Sequence, residues 1–236
     1  MSDKDDFVPA LGHKSLTWAY DLAIALMTRE ATWRRLLVAA IAPRPEDTIL
    51  DFGCGTGSLA ILLKRQCPQA RVIGLDPDPE VLRIAHHKAQ QAGVTIELVE
   101  GDAGRIADVV REGQPNKIAS SLVFHHLSLA NKRRALGAIF DVLRSDGGLY
   151  IADYGLQRMW LMRRLFRLVQ HLDGFETTQP NADGVLPRLM AEVGFGRVVE
   201  THVVPTPTGS ISLYQARRPP LRIPERTIAT APIIAR

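Results

Sequence analysis

Two hydrophobic rhythms alternate along most of this chain. Short apolar runs at 48–52, 71–76, 95–100, 117–123 and 148–153 read as buried strands. Between them lie stretches with apolar residues at helical spacing, at 58–66, 79–92, 129–144 and more weakly 103–110. In the 129–144 stretch Leu136, Ile139, Phe140 and Leu143 share one face. Strands alternating with helices predict parallel βαβ crossovers and an open, doubly wound sheet. The last third departs from the rhythm. Helices are predicted over 157–171 and 181–193, then two β-rich runs over 196–204 and 210–217 joined through Pro205-Thr206-Pro207-Thr208-Gly209. So short a connection makes that pair an antiparallel hairpin. At the other end, Leu16, Ala19, Tyr20 and Ala23, then Trp33, Leu36, Leu37 and Ala40, predict two helices over 15–41 that Pro43 and Pro45 terminate.

The resulting organisation is an N-terminal helical cap (1–43), an α/β domain (44–218) with a helical lid or substrate insertion at 156–193, and a Pro-rich flexible tail (219–236). There is no internal repeat. With 46% hydrophobic and 23% charged residues, the 236-residue chain supports one domain with a substantial core. Its 29 Lys+Arg against 25 Asp+Glu leave too small an excess for a nucleic-acid footprint, and no basic cluster is interleaved with aromatics. Cys54 and Cys67 form neither a disulfide framework nor a metal-ligand pattern. An acidic start with no apolar segment behind it, and no apolar run long enough to span a bilayer, point to a cytoplasmic protein.

Chemistry concentrates at the end of the first predicted strand, Ile49-Leu50-Asp51-Phe52-Gly53-Cys54-Gly55-Thr56-Gly57. Glycines at a strand–helix junction let backbone approach a ligand, and the helix beyond offers free N–H groups. Two readings fit. Gly55-Thr56-Gly57-Ser58-Leu59-Ala60 matches the dinucleotide fingerprint G-x-G-x-x-A, with Asp76 placed to hold a ribose. Alternatively, Asp51-x-Gly53-x-Gly55-x-Gly57 resembles motif I of the class I S-adenosylmethionine (SAM)-dependent methyltransferases.

Further residues favour the second reading. Gly74-Leu75-Asp76-Pro77 ends the second strand, Glu100-Gly101-Asp102-Ala103 the third, and Ser121 with Leu122-Val123-Phe124-His125-His126-Leu127 the fourth. The resemblance covers roughly 45–218. It implies a Rossmann-like seven-stranded sheet, parallel except for the C-terminal hairpin strand, with SAM as cofactor. Under it Asp51 places the methionine part, Gly53, Gly55 and Gly57 line its path, Asp76 accepts the ribose hydroxyls and Asp102 meets the adenine amino group, with Cys54, Pro77, Ala103 and Ser121 as further cofactor-binding residues. Ala19-Tyr20-Asp21-Leu22 and Thr32-Trp33-Arg34-Arg35 are similar to the ubiquinone/menaquinone methyltransferase branch. That branch has an Arg-Asn-containing segment where this chain has Phe124-His125-His126, so the cofactor carries over and the quinone substrate does not.

A sulfonium methyl is already electrophilic, so holding the nucleophile in line is the larger task. A base is needed when the nucleophile begins protonated, and histidine suits that role. His125, His126 and Asp153 are the candidate catalytic residues, Tyr20 and Tyr154 candidate pocket walls. Adjacent residues at a strand end point apart, so at most one of the two histidines is expected to face the substrate. No metal site is expected: His86 and His87 diverge on a helix, and no carboxylate or Cys spacing completes a set. In 157–171 Leu161, Leu165, Leu168 and Leu172 make an apolar stripe with Met162, Phe166 and Val169 beside it and Arg163, Arg164 and Arg167 opposite. This helix reads as a lid with a solvated basic face, or as a peripheral contact with anionic lipid.

The function expected is methyl transfer from SAM to a small, lipophilic molecule. The competing functions are a quinone-modifying enzyme that moves another group from SAM, a non-catalytic SAM-binding protein, and an NAD-dependent oxidoreductase.

Overall fold

The computed structural model describes residues 28–110 and 113–220. The expected helix at the start of the chain, with Trp18 and Tyr20, and the tail from 221 onward lie outside the described residues. A first helix α1 (Glu30–Ile41) precedes β1 (Thr48–Phe52), α2 (Ser58–Gln66), β2 (Arg71–Asp76), α3 (Pro79–Gln91), β3 (Glu97–Glu100), the short α4 (Ile106–Val109) and β4 (Lys117–Ser121). A 3₁₀ turn (Phe124–His126), α5 (Leu129–Val142), β5 (Gly148–Tyr154), α6 (Trp160–Asp173), α7 (Phe175–Ala182), α8 (Val185–Val193), β6 (Gly196–Thr206) and β7 (Gly209–Arg217) follow.

The strands form one seven-stranded sheet in the order β3-β2-β1-β4-β5-β7-β6. β1 to β5 pair in parallel; β7 runs antiparallel to both β5 and β6. Strand alternation sorts the apolar side chains onto two faces. Leu50, Ile73, Ile118 and Leu149 pack with Leu136 and Ile139 of α5 and Leu189 and Met190 of α8. Ile49, Val72, Ala119 and Tyr150 pack with Trp33, Leu37 and Ile41 of α1 and Leu59 and Leu63 of α2. A parallel sheet covered on both sides needs nearly continuous apolar strands. Asp51 in β1 breaks that pattern while remaining fully buried.

Two differences from the expected elements bear on function. The fourth strand stops at Ser121, because Leu122 takes a left-handed conformation (φ +57°) that no strand tolerates. The histidines therefore sit on a 3₁₀ turn. Second, the helical segment before the hairpin contains α7 as well as α8. Thr177, Thr178 and Pro180 disguise α7 in the sequence, and Thr178 Oγ1 bonds back to Gly174 C=O.

Trp33 carries α1 onto the sheet with no exposed surface. Truncation to alanine is expected to cost about 3–5 kcal/mol and to lower Tm by roughly 10 °C in a thermal melt.

Candidate active site

Every candidate residue on the parallel strands lies at a carboxyl end, on the rim where open α/β sheets take ligands, and the strand order reverses between β1 and β4. The glycine turn is fixed there by backbone geometry. Gly53 and Cys54 both donate to Leu75 C=O, at 2.8 and 3.0 Å. Gly53 has φ +70°, and a Cβ on it would meet Val123 Cγ2 at 2.4 Å. Gly55, also at positive φ, faces open space with no atom within 4 Å of a Cβ position. The chain thus leaves a bare backbone surface where a ligand can lie against it. Lys88 of α3 braces the turn, donating to Thr56 Oγ1 (2.9 Å) and Ser58 Oγ (2.8 Å).

Asp51 lies directly beneath. Neither carboxylate oxygen makes a close hydrogen bond among the described residues, although the Ala60 N–H lies near enough to pull its pKa down against burial. Burial pushes its pKa up to about 7, against the pull of Arg34. Arg34 itself pairs with Glu30 at 2.7 Å. A buried carboxylate without a close hydrogen bond is costly, and a cationic ammonium is the group that relieves it.

Asp76 has a different standing. Its Oδ2 accepts from Gly55 N–H (2.8 Å) and its Oδ1 from Asp78 N–H (3.0 Å). It shapes the turn and keeps lone pairs for further donors such as hydroxyls. Burial raises its pKa, the two amides opposing. Pro77 is exposed and Asp102 is exposed, with Asp102 Oδ1 accepting from Gly104 N–H at 2.8 Å. Ala103 and Ser121 are half-buried. Cys54 is buried, and burial beside Asp51 and Asp76 keeps its thiol neutral.

Across the β4–β5 rim a second cluster forms. Asp153, fully buried, accepts Phe124 N–H at Oδ2 (2.7 Å), and at Oδ1 accepts Tyr154 N–H (2.8 Å), Asn181 Nδ2 (3.3 Å) and His125 Nδ1 (2.8 Å). Burial alone would raise the Asp153 carboxyl; His125 and the amides outweigh it and hold it below the usual carboxylate range. A carboxylate only accepts, so Nδ1 of His125 carries the proton and, in the neutral ring, Nε2 presents a lone pair. Nε2 faces Asp173 Oδ2 at 3.7 Å.

The histidines do not diverge. Their rings stack at 3.9 Å between centroids, and His126 Nδ1 lies 3.9 Å from Asp173 Oδ1. The expectation of at most one facing residue assumed strand alternation, which the 3₁₀ turn removes. The charge of His125 beside it, more than the partial burial of a side chain still 46% exposed, pushes the pKa of His126 down. Tyr154 is buried with its hydroxyl on Thr208 Oγ1 (2.8 Å) and its ring edge-on to His125 at 5.0 Å, a wall behind the imidazole. Asp153 braces the turn instead of capping the next helix. Tyr20 lies outside the described residues.

Asp173 and Asn181 belong to this cluster and were not legible as site residues: both lie on helices whose approach to the rim is set by tertiary packing. So does Lys132, fully buried, which donates to Leu127 C=O and to Thr177 C=O (2.7 Å) and so ties the 3₁₀ turn to α7. Burial lowers its pKa to about 8. His125, His126 and Asp173 offer ligand atoms within 4.8 Å of one another. A carboxylate from α6 thus completes a candidate ligand set here, contrary to the expectation drawn from sequence spacing, because the packing of α6 and not spacing along the chain brings Asp173 to the histidines.

Residues 49–147 match the family model described as a methyltransferase domain. A demethylmenaquinone methyltransferase from Thermus thermophilus is 32% identical over 57% of this chain and 60% of its own length. One from Deinococcus radiodurans is 29% identical over 73% of this chain and 72% of its own. An O-methyltransferase family protein from Burkholderia thailandensis shares the fold at a TM-score of 0.63 and 15% identity, over 86% of this chain and 60% of that one. By these likenesses residues 49–147 resemble a methyltransferase domain, and the chain is similar in sequence to demethylmenaquinone methyltransferases. The Asp51 carboxylate, without a close hydrogen bond, and the open face of Gly55 fit the family's cofactor.

Because the folded pKa of Asp51 exceeds its ordinary value, the folded state binds the extra proton between about pH 4 and pH 7. Stability of the cofactor-free protein therefore falls as pH rises through that window, by a few kcal/mol. Asp51→Asn is expected to flatten this fall in pH-dependent melts, and to weaken S-adenosylhomocysteine binding about 100-fold by calorimetry.

Proposed function

We propose that this protein transfers the methyl group of SAM to a protonated nucleophile, such as a hydroxyl, on a small lipophilic molecule. The observation that carries the reading is the Asp153–His125 pair, joined at 2.8 Å and set on the rim that carries the Asp51 turn. SAM supplies an activated methyl on a sulfonium, open to in-line displacement. Asp51 and the glycine turn would hold its amino-acid end, and Asp76 and Asp102 its nucleoside. His125 Nε2 accepts the acceptor's proton, and Asp153 fixes the tautomer and steadies the imidazolium that results. His126, kept neutral, adds no competing positive charge beside that ring. The names of the menaquinone relatives support a lipophilic acceptor.

With a phenolic acceptor panel and mass detection, product is expected to gain one methylene. His125→Asn and Asp153→Asn are each expected to lower kcat by about 10²–10⁴ while leaving S-adenosylhomocysteine affinity unchanged. Treatment with EDTA is expected to leave the rate unaltered. A product carrying another group excludes methyl transfer. Rates that survive both substitutions remove the base, and loss of activity to the chelator assigns the histidines to a metal instead.

A further inference from the structure

Helix α6 has two apolar faces, only one of which packs. Met162, Phe166 and Val169 turn inward, Phe166 with no exposed surface. Leu161, Leu168 and Leu172 turn outward and are 40%, 48% and 68% exposed. Met159 and Trp160 at the start, and Phe175 just beyond the end, extend that surface, Trp160 being 75% exposed. Six of the nine large apolar side chains exposed among the described residues thus fall within 159–175. Isolated exposed leucines need no explanation; a contiguous strip on one helix does.

Arginines line one flank of the strip, with the carboxylates of Asp173 and Glu176 confined to its C-terminal end. Arg163 pairs with Asp183 at 3.3 Å, whereas Arg164 and Arg167 have no carboxylate partner among the described residues. Trp160, Arg163, Arg164 and Arg167 together line a shallow cleft of about 280 Å³. An apolar strip, an interfacial tryptophan and a row of guanidinium groups around a small cleft match the chemistry of an anionic bilayer surface: acyl chains beside phosphates.

We propose that α6 is an interfacial anchor that lays this face on anionic lipid. Leu161, Leu168 and Leu172 enter the headgroup–acyl boundary, and Trp160 sits at its edge. Arg164 and Arg167 carry their charge to the phosphates while their stems cover apolar surface. No helix among the described residues is long and apolar enough to cross a membrane, so the contact is peripheral. Asp173 directly follows Leu172 on the same helix and faces His125, so the anchor also holds the catalytic cluster beside the lipid surface. That last consequence alone rests on the reading of a lipophilic acceptor.

The test is co-flotation of the full-length protein with phosphatidylcholine vesicles containing about a third phosphatidylglycerol, against vesicles of phosphatidylcholine alone. Binding is expected only with the anionic lipid and is expected to weaken with salt. R164E/R167E should reduce partitioning at least about 10-fold, and L161S/L168S should reduce it comparably at low salt. Brominated lipid should quench tryptophan emission in the wild type and not in W160F. Circular dichroism and S-adenosylhomocysteine affinity confirm that each variant is folded, and they report on the cofactor site independently of lipid. The proposal is overturned by absence of partitioning or by partitioning that survives both double substitutions. Loss of binding to inorganic phosphate at matched ionic strength would show a small-anion site instead. A dimer without lipid that L161S/L168S dissociates would show a second copy on the strip.

Discussion

A carboxylate buried without a close hydrogen bond is the constraint around which this molecule is arranged. Asp51 interrupts an otherwise apolar central strand, and burial drives it toward the neutral acid. The neighbouring parts turn that cost into a binding preference. Arg34 on α1 tempers the charge without bonding it away, and the glycine turn above leaves backbone bare. Asp76 and Lys88 hold that turn from two directions, through Gly55 N–H and the hydroxyls of Thr56 and Ser58. The site is strained electrostatically and rigid geometrically, and a positively charged ligand group relieves the first without disturbing the second.

Asp153 presents the opposite solution to the same problem. It is equally buried, yet it accepts bonds from two backbone amides, an asparagine and an imidazole, and its pKa falls. One buried aspartate lacks a close hydrogen bond among the described residues; the other is saturated and orients a side chain. On the proposed reading that contrast gives ligand binding to the β1 rim and proton handling to the β4–β5 rim, and β1 and β4 are neighbours in the sheet.

Much of this was legible in the chain. Regular βα alternation fixed the strands from Thr48 to Tyr154 almost residue for residue, because buried parallel strands and amphipathic helices differ strongly in period. Asp51, Gly53, Gly55, Gly57 and Asp76 could be read because local backbone geometry demands those residue types. The β4 exit could not. Leu122 adopts positive φ, which no sequence rule assigns to leucine, and the resulting 3₁₀ turn brings together two histidines expected to diverge. Asp173, Asn181 and Lys132 were equally hidden. Their roles arise from where α5, α6 and α7 dock, and α7 itself is masked by threonines and a proline. On α6 the pattern revealed every apolar residue and every arginine, but only packing shows that Met162, Phe166 and Val169 face inward while the leucines remain outside.

The central claim is that the Asp51 turn is a SAM site whose sulfur end opens toward His125. A crystal structure with S-adenosylhomocysteine tests it most directly. The account predicts the ligand's ammonium within about 3 Å of Asp51, its ribose against Asp76, and its sulfur on the side of the His125–Asp153 pair. A ligand seated elsewhere, or one that leaves the Asp51 carboxylate unpartnered, would contradict it.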